Sequence, residues 1–217
     1  MNNQSNLKVK NGTIPLVAYS LWLFIALNAL TPLIGAYSVF KYNTALYEQT
    51  EEASNALMFI AQQYDNIGTL IGLSFLLSAI IYSFWIFRVS SNSRCLNPDV
   101  KIKFTPGWSV LSYFIPFLSV YWPYKSMKEL WQLNVKTTDN GIILGWWISF
   151  LFLNSSTMAC SKIDDPSVIG YQWYVGLITV SNILGIVSAF LALKIIKQIN
   201  DAQSAGLRLS PAMPCPN

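Results

Sequence analysis

The sequence predicts an all-α fold: a polytopic membrane helix bundle with four transmembrane helices, a proline-broken further segment that is either re-entrant or a short fifth span, and a cytoplasmic amphipathic helix. Three observations predict it. Charged residues are only 11% of the 217 and hydrophobic residues 53%, whereas soluble domains carry about 25% charge; the mean hydropathy of +0.40 agrees. Four stretches reach the roughly 20 apolar residues a spanning helix needs. Finally, the basic residues gather on one side only under one arrangement of the chain.

Taken in order, residues 1–13 form a cytoplasmic N-terminus containing Lys8 and Lys10. The first span runs over 14–40 without a charge. It is too long for the roughly 7–15-residue apolar core of a signal peptide, so it reads as a retained anchor helix. Pro32 within it removes one backbone donor and predicts a kink. Residues 41–66 hold Glu48, Glu51, Glu52 and Asp65 against one Lys41. They predict a polar connection in which 45–63 form a surface helix with Leu46, Ala53, Leu57 and Ile60 near one face. The second span covers 67–87, followed by a basic loop over 88–104. The third and fourth spans cover 141–160 and 172–193. The tail, 201–217, is polar and proline-rich and is expected to be disordered. Residues 14–200 make one membrane domain.

The segment 106–122 decides the topology. If it crosses, the basic residues split seven against seven. If it enters and leaves on one side, both termini are cytoplasmic and only Lys41 and Lys162 fall outside, a split of twelve against two. The positive-inside rule favours the second arrangement. The residues suit a hairpin. Thr105 can cap a short helix with Pro106 at its first position, and Pro116 breaks that helix after about ten residues, roughly half the hydrocarbon depth. Trp108 and Trp122 flank the segment, as interface residues would. Next, Ser126-Met127-Lys128-Glu129 reads as a capping box. Met127, Leu130, Trp131 and Val135 then recur at helical spacing, predicting an amphipathic helix over 124–136 on the cytoplasmic surface. It serves either as a docking platform for a protein partner or anionic lipid, or as an anchor closing the base of the bundle.

The composition also excludes functions. Without histidine there is no His base, Ser-His or Cys-His pair, or His metal ligand. Cys95, Cys160 and Cys215 lack metal-site spacing and read as free thiols. A net charge of +4 offers no nucleic-acid stripe. No cofactor is expected. The spans hold no acid or base away from their ends, which counts against proton relays. The midplane polar residues Asn28 and Asn182 read as helix glue, or as part of a polar path. Gly68 with Gly72, Gly141 with Gly145, and the Ser181, Gly185, Ala189 stripe read as helix-packing surfaces. Trp85, Trp146, Trp147 and Trp173 read as interface-belt residues.

The run from Phe104 to Trp131 resembles the signature of the domain-of-unknown-function family 4328. The matching positions are Pro106, Gly107, Trp108, Phe114, Pro116, Pro123, Tyr124, Met127, Glu129 and Trp131. The looser likeness extends over 15–200, and the acidic first external connection is longer than the family pattern. The resemblance implies a bacterial multi-pass membrane protein and assigns no activity. Within the signature, Gly107 is expected to allow close packing beside Trp108, and Glu129 to cap its own helix or pair with Lys125 or Lys128.

These readings lead to a multi-pass protein of the cell membrane with the lipid bilayer as its surroundings. The first expectation is a non-enzymatic scaffold or partner-binding component. The alternatives are a small transporter or channel using the hairpin and, behind it, a lipid-active enzyme. The sequence assigns no oligomeric state.

Overall fold

Long runs of helix-forming and apolar residues without breakers give helices longer than the bilayer needs. The structure, a computed structural model, describes residues 13–48, 50–160 and 168–209. Helix α1 is Thr13–Glu48, α2 Glu51–Leu96, α3 Pro106–Leu111, α4 Trp122–Val135, α5 Gly141–Cys160 and α6 Val168–Leu209; a single 3-10 turn, Leu118–Val120, precedes α4. No strand occurs among the described residues. Among the described residues four segments are long and apolar enough to cross a membrane: Thr13–Ala45, Gln62–Leu96, Gly141–Cys160 and Gly170–Gly206. At 1.5 Å per residue, the 20 residues of α5 span about 30 Å, the hydrocarbon thickness.

Helix α1 shows why this composition folds. Val17, Ser20, Phe24, Asn28, Thr31 and Ser38 are buried, whereas Leu23, Leu30, Leu33 and Phe40 are exposed. A water-soluble helix would reverse this. In lipid, burying leucine gains little, so small and polar residues take the packed face and apolar ones the outer face. The buried polar side chains return hydrogen bonds to their own helix: Ser20 Oγ to Val17 O, Asn28 Nδ2 to Phe24 O, Thr31 Oγ1 to Leu27 O and Ser38 Oγ to Gly35 O. This satisfies them without water.

Several boundaries differ from the sequence reading. The polar connection 41–66 is almost entirely helical. Helix α1 continues to Glu48 and α2 starts at Glu51, with Thr50 Oγ1 accepting from Ala53 N. No Gly or Pro interrupts 41–66, so nothing separates a surface helix from the spans on either side. The side chains of Leu46, Leu57 and Ile60 lie outside the described residues. The expected basic loop at 88–104 is helical to Leu96, and α6 continues into the expected tail as far as Leu209; residues 1–12 and 210–217 lie outside the described residues. Pro32 sits inside α1 without ending it. Cys160 is a free, buried thiol, whereas Cys95 is disulfide-bonded rather than free; Cys215 lies outside the described residues.

The chain divides into two compact units. One comprises Leu21–Leu77 and Ile148–Phe190. Its centre is a line of rings, Phe24, Phe75 and Phe150, with centroids 6.0 and 6.3 Å apart. Helices α1 and α6 approach closely at Gly185, where a Cβ would stand 3.2 Å from Asn28 Oδ1 and 3.4 Å from the Phe24 ring. Ser181 and Ala189 on the same stripe are buried. The Gly68–Gly72 stripe differs: a Cβ on either glycine meets nothing within 4 Å, so these glycines are not spent on packing among the described residues. Lys41 is the only basic residue with a described side chain in this unit, beside Glu48, Glu51, Glu52 and Asp65.

The other unit comprises Met1–Ser20, Ser78–Trp147 and Leu191–Asn217. Its described basic side chains are Arg88, Arg94, Lys101, Lys103, Lys125, Lys128, Lys136, Lys194 and Lys197. A buried polar network ties α2, α4 and α6 together. Ser93 Oγ donates to Val89 O and accepts from Asn134 Nδ2 at 2.8 Å and Gln203 Nε2 at 3.0 Å. Gln203 also donates to Val89 O. Ser93 is 0% and Gln203 1% exposed; a fully satisfied network of this kind fixes one arrangement of the helices it joins. Trp85, Trp146 and Trp147 are buried here, not in an interface belt. They pack with Tyr82 and Tyr113 into one aromatic cluster with centroids 5.3–6.3 Å apart. Only Trp173 of the four expected belt residues is exposed.

Candidate functional site

The signature residues build a hairpin and the helix that receives it. Thr105 Oγ1 accepts from Trp108 N at 3.2 Å, and Pro106 occupies the first turn of α3. Helix α3 ends at Leu111, after six residues instead of the expected ten. Tighter bonds take over before Pro116 is reached, from Tyr113 N to Val110 O and Phe114 N to Leu111 O. Proline supplies no donor and pushes the residue before it out of the helical region. At the tip, Leu118 N donates to Pro116 O at 2.8 Å, and Phe117 has φ 65 and ψ −42. This is a γ-turn of the rare, strained hand. The 3-10 turn leads back into α4, with Pro123 in its first turn.

The two limbs meet at their base. The Trp122 ring lies 5.8 Å from Phe104 and 5.9 Å from Trp108. Ser126 Oγ donates to Ser109 Oγ at 2.9 Å. Ser126 is therefore interior to α4 and binds α3, so the expected capping box does not form. A segment whose ends touch, with a first helix of about 9 Å, does not carry the chain across roughly 30 Å of hydrocarbon.

The base is held by a clamp on the backbone of Ile102–Phe104. From α4, the Glu129 carboxylate accepts from Lys103 N at 2.7 Å and Phe104 N at 3.1 Å. From α2, Arg94 Nη2 donates to Ile102 O at 3.2 Å and Phe104 O at 2.9 Å. Glu129 thus neither caps its own helix nor pairs with Lys125 or Lys128. It satisfies N–H groups, and Arg94 satisfies carbonyls, of a segment with no sheet partner. Charge-assisted bonds of this kind are about twice as strong as neutral ones. Sequence reasoning counted Arg94 only as a charge, because a backbone partner leaves no trace in residue identity.

The remaining signature positions divide by role. Pro123, Met127 and Trp131 are buried, and Trp131 Nε1 donates to Asp139 O at 2.9 Å. The apolar face of α4 therefore packs within its unit and is not a free docking surface. Tyr124 and Pro106 are half-buried. Gly107 is exposed with room for a Cβ, so close packing beside Trp108 does not explain it. Trp108, Leu111, Phe114, Phe117, Val120 and Tyr121 are all exposed, Phe117 at 93%, and Pro116 is exposed as well. From α5, Trp147 Nε1 donates to Val120 O at 2.8 Å and holds the returning limb.

The midplane residues sit elsewhere, in the other unit. Asn28 and Asn182 are 1% and 7% exposed. Among the described residues neither forms the expected interhelical amide bond: Asn28 Nδ2 bonds its own helix, and Asn182 Nδ2 has no partner there. Asn28 Oδ1 instead lies beside Gly185, where the missing side chain leaves it room.

Four apolar helices, lipid-facing leucine surfaces and a membrane-type interior make this a multi-pass integral membrane protein. More particularly, the chain belongs to the family described as Domain of unknown function (DUF4328), whose model matches residues 42–201. That range contains the hairpin, the clamp, all of α2 and α5 and most of α6. Comparison with curated proteins and with solved structures gave no match.

Proposed function

We propose that the protein is a non-enzymatic membrane component, a scaffold or partner-binding subunit of the cell membrane, with the hairpin, α4 and both termini on the cytoplasmic side. The observation that carries this reading is how the polar atoms at the base of the hairpin are used. Both Glu129 oxygens bind backbone N–H groups, Thr105 caps α3, and the Ser109 and Ser126 hydroxyls bind each other. A hairpin base whose polar groups are spent on holding its shape suits a platform better than a reaction centre. Orientation rests on the basic unit, since cytoplasmic segments carry the excess of Lys and Arg. The partner-facing surface is the polar side of α4, where Gln132 is exposed and Lys128 half-buried, together with Lys136 at its end.

Against the transporter reading, the buried hydroxyls of α1 are spent on their own helix backbone. The test places a photo-crosslinking residue at Gln132 or Lys136 in cells. A discrete adduct at both positions, absent for a control at lipid-facing Leu73, is expected. Solute flux through liposomes of the purified chain, lost on Asn182→Leu with helicity retained, would contradict the proposal.

A further inference from the structure

At the base of the hairpin lies a cleft of about 370 Å³ lined by Lys103, Phe104, Trp108, Trp122 and Lys125. Its walls include the three packed rings, and Lys103 and Lys125 complete its lining. The Lys125 ammonium is steered by the Tyr121 ring, 4.3 Å from its centroid. Among the described residues neither lysine forms an ion pair. Glu129, the one acid of α4, has both oxygens engaged with the backbone. Among the described residues the two lysines of the cleft are thus left without a carboxylate paired to them. Beyond it the hairpin exposes the apolar side chains of Leu111, Phe114, Phe117 and Val120. The order along the limbs is cation, indole, hydrocarbon-facing side chain, which matches phosphate, interface and acyl chain through one leaflet.

We infer that this cleft binds the phosphate of one anionic phospholipid headgroup, with Lys103 and Lys125 on the phosphate, Trp108 and Trp122 at the glycerol level, and the acyl chains along the exposed hairpin. The ligand chemistry is a phosphate ester anion beside apolar surface. The apolar tip favours a lipid over a free phosphate as its source, because a soluble anion would leave that surface without an occupant. The inference rests on the membrane placement of the hairpin, which is tested separately below.

The experiment uses the full chain in nanodiscs of equal phosphatidylglycerol and phosphatidylcholine, released into native mass spectrometry. One retained phosphatidylglycerol per chain is expected. A lysine at the headgroup level contributes about fivefold to anionic-lipid binding, so Lys103→Gln with Lys125→Gln lowers retention on the order of 25-fold. The pair Lys194→Gln with Lys197→Gln on α6, outside the cleft lining, changes it less than about twofold. Trp108→Ala, which keeps both charges, also lowers retention. Equal retention of the two lipids, or equal loss from both lysine pairs, overturns the inference. Displacement of phosphatidylglycerol by millimolar inorganic phosphate overturns the lipid as source. Quenching by brominated phosphatidylcholine, compared between wild type and Trp108→Phe, reports whether the hairpin lies in the bilayer. Failed placement is thereby distinguished from failed selectivity.

Discussion

Replacing Glu129 by alanine removes both N–H acceptors of the clamp at once. Bonds to a charged group contribute about 1.5–3 kcal/mol each. Lys103 is exposed, so water replaces most of the acceptor lost at its 2.7 Å bond, whereas Phe104 is buried and its N–H, 3.1 Å away, keeps more of its penalty. The expected cost of Glu129→Ala is about 3 kcal/mol. Glu129→Gln keeps one side-chain oxygen and the same reach, and costs about half as much. Arg94 holds the opposite edge of the same three residues, so the two sites act on one element. A double-mutant cycle with Arg94→Ala is expected to show coupling above about 0.5 kcal/mol. The assay is reversible unfolding in mixed detergent micelles, followed by circular dichroism and by the fluorescence of the indoles at the hairpin base. An alanine variant within about 0.5 kcal/mol of wild type, or a glutamine variant as damaged as the alanine one, would refute the clamp.

Two further predictions concern the backbone. Phe117 adopts a positive φ with its side chain 93% exposed, a conformation that costs a non-glycine residue about 1–3 kcal/mol; Phe117→Gly is expected to raise stability by about 1 kcal/mol in detergent, and a loss of stability there would count against the γ-turn. Gly185→Val drives a side chain into Asn28 and Phe24 and is expected to cost about 2 kcal/mol or more, while Gly72→Val, facing open space, is expected to stay within about 0.5 kcal/mol. Equal effects at the two glycines would show that the α1–α6 approach is misassigned.

The helical class and the four spans were legible because lipid imposes a length and a composition that few other environments require. The turn of 106–122 was legible from its prolines. Helix ends were not: residues 41–66 are polar enough to suggest a loop, yet contain no breaker, and polar helix outside a bilayer looks like connection in a hydropathy pattern. The roles of Glu129 and Ser126 were misread because a local motif, the capping box, competed with tertiary partners 17 to 26 residues away. Trp85, Trp146 and Trp147 were read as belt residues because indole near a span end usually is. Here a cluster of rings around Tyr82 gives them a better partner than the headgroups. Gly68 with Gly72 shows the converse, a packing motif that packs nothing within the described chain.

The turning back of the proline-rich segment is tested most directly by two-sided thiol labelling. Single cysteines replace Val100, exposed before the hairpin, and Lys136, exposed after α4, in a chain otherwise free of cysteine. With a membrane-impermeant reagent, both positions are expected to stay unlabelled in intact cells and to label together once the cells are permeabilised. Labelling of the two from opposite sides would mean that the segment crosses, and would contradict the hairpin, the charge map and the headgroup cleft together.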